Sequence, residues 1–127
     1  LVLKRSAGNI TLNISGVLRS GKQLVDIAPG FNIVSYTDVG NTTLGGSGLI
    51  TTGGLVGSSS ASVADIVSLP DAAGDLVQYF HNTSFWRRVT GAPSNQNGLA
   101  VQSHRALVIN KKSSGTFLWP VVESFTE

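Results

Sequence analysis

Gly16-Val17-Leu18-Arg19-Ser20-Gly21-Lys22-Gln23 comes nearest to a known chemistry, that of a phosphate-binding loop. Gln23 stands where that loop needs a Ser or Thr hydroxyl for magnesium. The following Leu24 to Pro29 also lacks the helical periodicity that must place a helix N-terminus against the phosphate. A coincidental β-turn is the better reading. Serine hydrolysis would need a base, and His81 and His104 are the two histidines. Gly45-Gly46-Ser47-Gly48-Leu49 misses the G-x-S-x-G elbow at its last position, and His81 at the end of an apolar strand reads as a strand-edge residue. Asp71 with Asp75, or Asp65 with His81, could offer ligands to a hard cation, but no EF-hand or His-x-x-x-His spacing occurs. Turn formation explains Asp71 and Asp75 more simply. The expectation is therefore no catalytic residues, no metal and no cofactor.

The best ligand-binding candidates are Tyr79, Trp86 and Arg88. On a strand Trp86 and Arg88 share one face, so an exposed indole beside a cation could stack on a sugar or a base. The competing reading puts Trp86 in the core with arginine stems laid over it, and indoles more often bury most of their area.

Charge and composition narrow the class. The chain has 127 residues, enough for one domain over 1–127 but not two. Its 41% hydrophobic and 13% charged residues are unlike a disordered chain and suit a weakly charged β protein. A net charge of +2 is too small to imply a nucleic-acid partner. Cysteine is absent, which excludes disulfides and thiolate chemistry. Methionine is absent as well, even at position 1, so a processed or trimmed chain is expected. No apolar run reaches membrane-spanning length. Four N-x-S/T sequons, at Asn9, Asn13, Asn41 and Asn82, are weak evidence in a Ser/Thr-rich chain.

The elements that would position such residues read as strands almost throughout. Ile10, Leu12 and Ile14 alternate with Thr11, Asn13 and Ser15, which makes one strand face apolar. Ser20-Gly21-Lys22 reads as a hairpin connection, and Phe31 to Tyr36 as a strand. Residues 40–60 hold seven glycines among Ser and Thr, with Leu44, Leu49, Ile50, Leu55 and Val56 as anchors. Those anchors predict an ordered loop clipped onto the core, with a helical turn around Thr43 to Leu49. Val63 to Leu69, Asp75 to His81 and Phe85 to Val89 predict a three-strand meander turning at Pro70 to Gly74 and Asn82 to Ser84. Strands follow at Leu99 to Gln102, Arg105 to Asn110, Thr116 to Trp119 and Val121 to Phe125, the last two separated by Pro120. About ten short strands predict an all-β antiparallel sandwich or barrel with a long Gly/Ser/Thr-rich loop.

One pattern occurs twice. Leu1-Val2-Leu3-Lys4-Arg5-Ser6-Ala7-Gly8 and Leu107-Val108-Ile109-Asn110-Lys111-Lys112-Ser113-Ser114-Gly115 share an aliphatic triplet, two cations, two small residues and a glycine. The repeat reads as one β-hairpin used at both ends of the chain. These segments stand in order with Ala28-Pro29-Gly30-Phe31-Asn32-Ile33-Val34, Ser62-Val63-Ala64-Asp65-Ile66-Val67, Tyr79-Phe80-His81-Asn82 and Trp86-Arg87. In that order the chain resembles an uncharacterised family of secreted β-rich proteins recurrent in verrucomicrobial genomes. The likeness covers nearly the whole chain through motifs that are structural and individually unspecific. It implies export to the cell exterior and carries no activity or site residues.

The function expected from these features is that of a secreted, non-enzymatic β-domain. It would self-assemble into an extracellular filament or surface layer at the cell surface, with copies of itself as partners. Leu1, Val2, Leu3, Lys4 and Arg5 are the candidate subunit-interface residues, because an apolar strand there is free to pair with a neighbour's sheet edge. The alternatives are a carbohydrate-binding or adhesin module for surface glycans, and a viral coat subunit whose Lys4, Arg5, Lys111 and Lys112 face a genome. Removing residues 1–5 is expected to leave a folded subunit that no longer polymerises, checked by electron microscopy and light scattering.

Overall fold

The structure is a computed structural model that describes residues 21–35, 42–51, 54–102 and 105–123. Among these residues the chain is all-β, with nine strands, antiparallel pairing throughout and no helix. The strands are β1 (Gly21–Ile27), β2 (Gly30–Ser35), β3 (Thr42–Thr43), β4 (Ile66–Pro70), β5 (Leu76–His81), β6 (Trp86–Arg88), β7 (Ala100–Val101), β8 (Ala106–Lys111) and β9 (Phe117–Glu123). They form a five-stranded sheet in the order β2-β8-β4-β5-β6 and two two-stranded sheets, β1-β9 and β3-β7. No sheet closes into a barrel, and the arrangement is sandwich-like.

The meander β4-β5-β6 follows from local chemistry. Asp71 Oδ1 accepts from the backbone N–H of Ala73 (2.9 Å) and of Asp75 (3.0 Å), which closes the Pro70–Gly74 turn. Asn82 Oδ1 does the same for Ser84 (3.1 Å) and Phe85 (2.9 Å) at the next turn.

The two larger sheets are built from one folded ribbon. β2 pairs with β8, and the same two chain segments continue as β1 and β9, which pair with each other. Between the two ladders one arm inserts only Ala28-Pro29, while the other inserts residues 112–116. Unequal arms force a bend, so the β1-β9 half turns over the five-stranded half, as at the corners of orthogonal sandwiches. Gly30 sits at the bend with φ +98°, a conformation that L side chains rarely adopt. Asn32 ties the short arm by accepting from Ala28 N–H (3.1 Å) and donating to Ala28 O (2.8 Å).

The bend encloses the core. On the inner face of the five-stranded sheet Val34, Leu107, Ile109, Val67, Leu69, Tyr79 and Trp86 pack together, and from the other side Ile27 and Trp119 close over them. Leu44, Leu49 and Leu55 of the Gly-rich segment join this cluster, so its described part is an ordered wall of the core as expected. Trp119 Nε1 donates to Ser47 O (2.8 Å), which fixes that wall to β9. Gly57 makes a second close approach: a Cβ there would lie 2.7 Å from His81 O, the atom that accepts from Ser58 N–H.

Four local expectations differ from the structure. Gly21 and Lys22 lie inside β1 and pair with β9, so no turn is centred there. Residues 44–47 form hydrogen-bonded turns, including Ser47 N–H to Leu44 O (3.4 Å), because two glycines and the β3-β7 pairing leave no room for a helical turn. Pro120 does not divide the last strand. β9 runs through it opposite Leu24, in a sheet that is two-stranded among the described residues and so offers the edge position proline needs. Lys111 to Gly115 is not a hairpin, since β8 and β9 belong to different sheets. Leu1 to Arg19, His104 and the sequons at Asn9, Asn13 and Asn41 lie outside the described residues.

Trp119 is the side chain on which both walls close. Trp119→Ala is expected to cost about 3–5 kcal/mol of unfolding free energy. Trp119→Phe is expected to cost less, about 1–3 kcal/mol, because it chiefly strands the Ser47 carbonyl. Urea denaturation of both variants checks the ranking.

Candidate functional site

The most elaborate polar constellation lies at the long arm of the bend. Asp65 is 2% exposed and Lys111 3% exposed, so both charges leave water on folding. Asp65 Oδ1 accepts from the N–H groups of Lys112 (2.7 Å) and Ser113 (2.8 Å). Its Oδ2 accepts from Val56 N–H (2.8 Å) and Ser113 Oγ–H (2.7 Å). Lys111 Nζ donates to Ser113 O (2.9 Å), Ser113 Oγ (2.7 Å) and Ser114 O (2.9 Å), which uses all three ammonium hydrogens, and it lies 6.0 Å from the centre of the Phe117 ring. Ser113 Oγ thus stands between the two charges. Lys112 Nζ is tied to Ala61 O (2.7 Å) and Ser62 O (3.2 Å).

This constellation holds a chain corner in place. The Ser113 hydroxyl gives its hydrogen to Asp65 and receives one from Lys111, and the Asp65 carboxylate is a poor base because three backbone N–H groups already stabilise its charge. Asp65, considered from the sequence as a cation ligand with His81, spends both oxygens on N–H and O–H donors. Among the described residues no group of three His, Cys, Asp or Glu side chains gathers as a metal site would. Lys111 and Lys112, considered as a genome-facing pair, are both committed to backbone carbonyls of their own chain.

The expected aromatic binding platform is not on the surface. Trp86 is 2% and Tyr79 4% exposed, and both belong to the core, so neither can stack on a ligand. His81 meets Trp86 edge-on, with ring centroids 5.7 Å apart. Of the three candidates only Arg88 is exposed. It stands opposite Tyr79 across the β5-β6 ladder. Arg87 instead crosses the Phe80 ring at 5.4 Å on the outer face. Lys22 and Gln23 of the phosphate-loop near-match lie in strand β1 where that motif needs a helix. The candidate interface Leu1, Val2, Leu3, Lys4 and Arg5 lies outside the described residues.

An exposed apolar surface that the sequence reading missed lies along β2. Phe31 is 79% and Ile33 78% exposed on the outer face of the five-stranded sheet. β2 ends that sheet, and among the described residues β8 is its sole strand neighbour. Ladder register carries the row inward from Ile33 to Val108 and then Ser68 and Gln78. Val108, Ser68 and Gln78, with Phe31, Leu76 and Arg88, line an open depression of about 550 Å³. Farther along the same face Ile66 and Phe80 are covered by Ala61, Ala64 and Val89. The sequence reads Phe31 to Tyr36 as a strand, but only the ladder tells which of its faces is exposed.

Comparison with protein-family models, with curated proteins and with solved structures finds no match to this chain. Among the described residues no helix is long and apolar enough to cross a membrane.

Two groups set the acid response. Burial alone would raise the Asp65 carboxyl, but its hydrogen bonds from Val56, Ser113 and Lys112 outweigh that and hold it below the ordinary value of about 3.9. Burial lowers His81 from its ordinary value of about 6.5. In both cases the folded state binds its proton less readily than the unfolded chain, so each contribution is complete above the ordinary value and is lost as pH falls. Asp65→Asn is expected to destabilise by about 2–4 kcal/mol at neutral pH, since an amide nitrogen would face Val56 N–H. That gap should narrow below about pH 3.9. Urea midpoints across pH check both, and a shallower loss beginning below about pH 6.5 belongs to His81.

Proposed function

We propose that this chain is a secreted structural subunit that assembles with copies of itself outside the cell or at its surface, through pairing of strand edges. The observation that carries the reading is β2. Among the described residues it is an edge strand, with no charge and no proline between Gly30 and Ser35, and it presents Phe31 and Ile33 to solvent. Proteins that must stay monomeric block such an edge with lysine, proline, a bulge or a covering loop. An edge left open offers a row of backbone donors and acceptors to another strand, with apolar side chains to bury beside them. The low overall charge fits close packing of many copies.

The reading is non-enzymatic and needs no cofactor. Leu1 to Arg5 is the other segment it assigns to subunit contacts, as a strand that a neighbour's sheet can accept. Glycan binding through Trp86 and Tyr79 is set aside because both rings are buried.

The test introduces a lysine where an edge-protected protein would carry one. Ile33→Lys alters a side chain that is mostly in solvent, so its unfolding free energy should stay within about 0.5 kcal/mol of the parent. Light scattering and negative-stain electron microscopy are expected to show oligomers or filaments for the parent and their loss in this variant. Undiminished assembly of Ile33→Lys overturns β2 as the contact, and a parent that stays monomeric at all concentrations overturns the assembly reading.

A further inference from the structure

We infer that the first contact between copies is a two-fold pairing of β2 with the β2 of a second chain, antiparallel, with Phe31 opposite Ile33 of the mate. The inference rests on the assembly reading above and specifies its partner and register.

A second copy suits this edge for three reasons. The strand Gly30–Ser35 carries no charge, so its own antiparallel image brings no like charges face to face. Its two exposed apolar side chains, Phe31 and Ile33, are two residues apart and lie on the same face. An antiparallel image centred on Asn32 therefore sets Phe31 against Ile33 at two symmetric places, and both pairs are of the aromatic and β-branched kind that stabilises ladders. Centring one residue later would set Ile33 against itself and leave Phe31 opposite Ser35.

The favoured register also continues the rows already present in the sheet. The row Ile33, Val108, Ser68 gains Phe31 of the mate, and the row Phe31, Asn110, Ile66 gains Ile33 of the mate. Counting the described strands, the product is one ten-stranded sheet joined through the two β2 edges. A foreign peptide would find the same backbone groups but little on β2 to select it, because strand addition takes its specificity from side-chain pockets.

The area involved is modest. Each phenylalanine brings about 150–250 Å², and the two Phe-Ile pairs together fall short of the roughly 1,200–2,000 Å² of a stable interface. The dimer is thus a weak, concentration-dependent unit, and an isologous contact closes on itself. Extended growth then needs a second contact elsewhere on the chain.

The chain has no cysteine, so introduced thiols report on this contact alone. Full-length Phe31→Cys and Ile33→Cys proteins are mixed, or kept separate, under mild oxidation, with light scattering on each. The expected result is a disulfide-linked dimer in the mixture, with little linkage in either protein alone. Loss of oligomers in these variants while the parent still associates also supports the contact. Linkage of Ile33→Cys with itself as fast as in the mixture overturns the register. Oligomers that persist without linkage overturn the β2 contact and leave the assembly reading standing. A parent that is monomeric throughout overturns both.

Discussion

The fold depends on how one buried carboxylate is satisfied. Asp65 lies at the start of β4, and the donors that meet it come from a chain corner 47–48 residues later and from Val56 N–H in the preceding loop. A carboxylate without those donors would carry an uncompensated desolvation cost of several kcal/mol. The corner between β8 and β9 therefore has to sit where Asp65 can reach it. That requirement fixes where the ribbon bends, and the bend decides that Trp119 and Ile27 face the five-stranded sheet. Lys111 completes the arrangement from inside the corner, where its ammonium gathers the carbonyls that a tight loop would otherwise leave unpaired.

Such a device is costly compared with an apolar plug of similar size. What it supplies is position. Hydrophobic contact between two twisted sheets is tolerant of sliding, whereas four short hydrogen bonds to one carboxylate admit a single placement. The Gly-rich segment works in the same way from the opposite wall. Leu44, Leu49 and Leu55 give it burial, and the Ser47 carbonyl that receives Trp119 Nε1 gives it register.

How much of this the sequence discloses depends on the range of the interaction. The β4-β5-β6 meander is legible because its turns are local: Asp71 and Asn82 bond to N–H groups within four residues of themselves. The buried leucines of the 40–60 segment are legible because no flexible linker needs regularly spaced aliphatics. The corner is not legible. Lys111 to Gly115 has the composition of a hairpin turn, and only the pairing of β8 with β2 and β4, and of β9 with β1, shows that its two flanking strands part company. Asp65 fails for the same reason, since a carboxylate that will accept backbone N–H groups looks in sequence like one that will hold a cation. Trp86 and Arg88 share a strand face by period, yet only Trp86 packs into the core cluster, and Arg88 two residues on is exposed.

The two edges of the five-stranded sheet are treated differently, and that difference bears on function. β6 is three residues long, carries Arg87 and Arg88, and is covered on its outer side: Gln96 N–H reaches Trp86 O (2.7 Å) and Asn97 Oδ1 takes Trp86 N–H (2.8 Å). Those are the means by which a sheet avoids unwanted partners. β2, twice as long and uncharged, has its side-chain tie at Asn32 directed to Ala28, Gly30 and Ile109 of its own chain, and its apolar residues stand in solvent. Among the described residues one edge is covered and the other has β8 as its one strand neighbour, and under the proposed assembly that second edge is the direction in which the sheet grows. On the proposed reading, the cost of exposing Phe31 and Ile33 is recovered when a strand of a second copy pairs with β2.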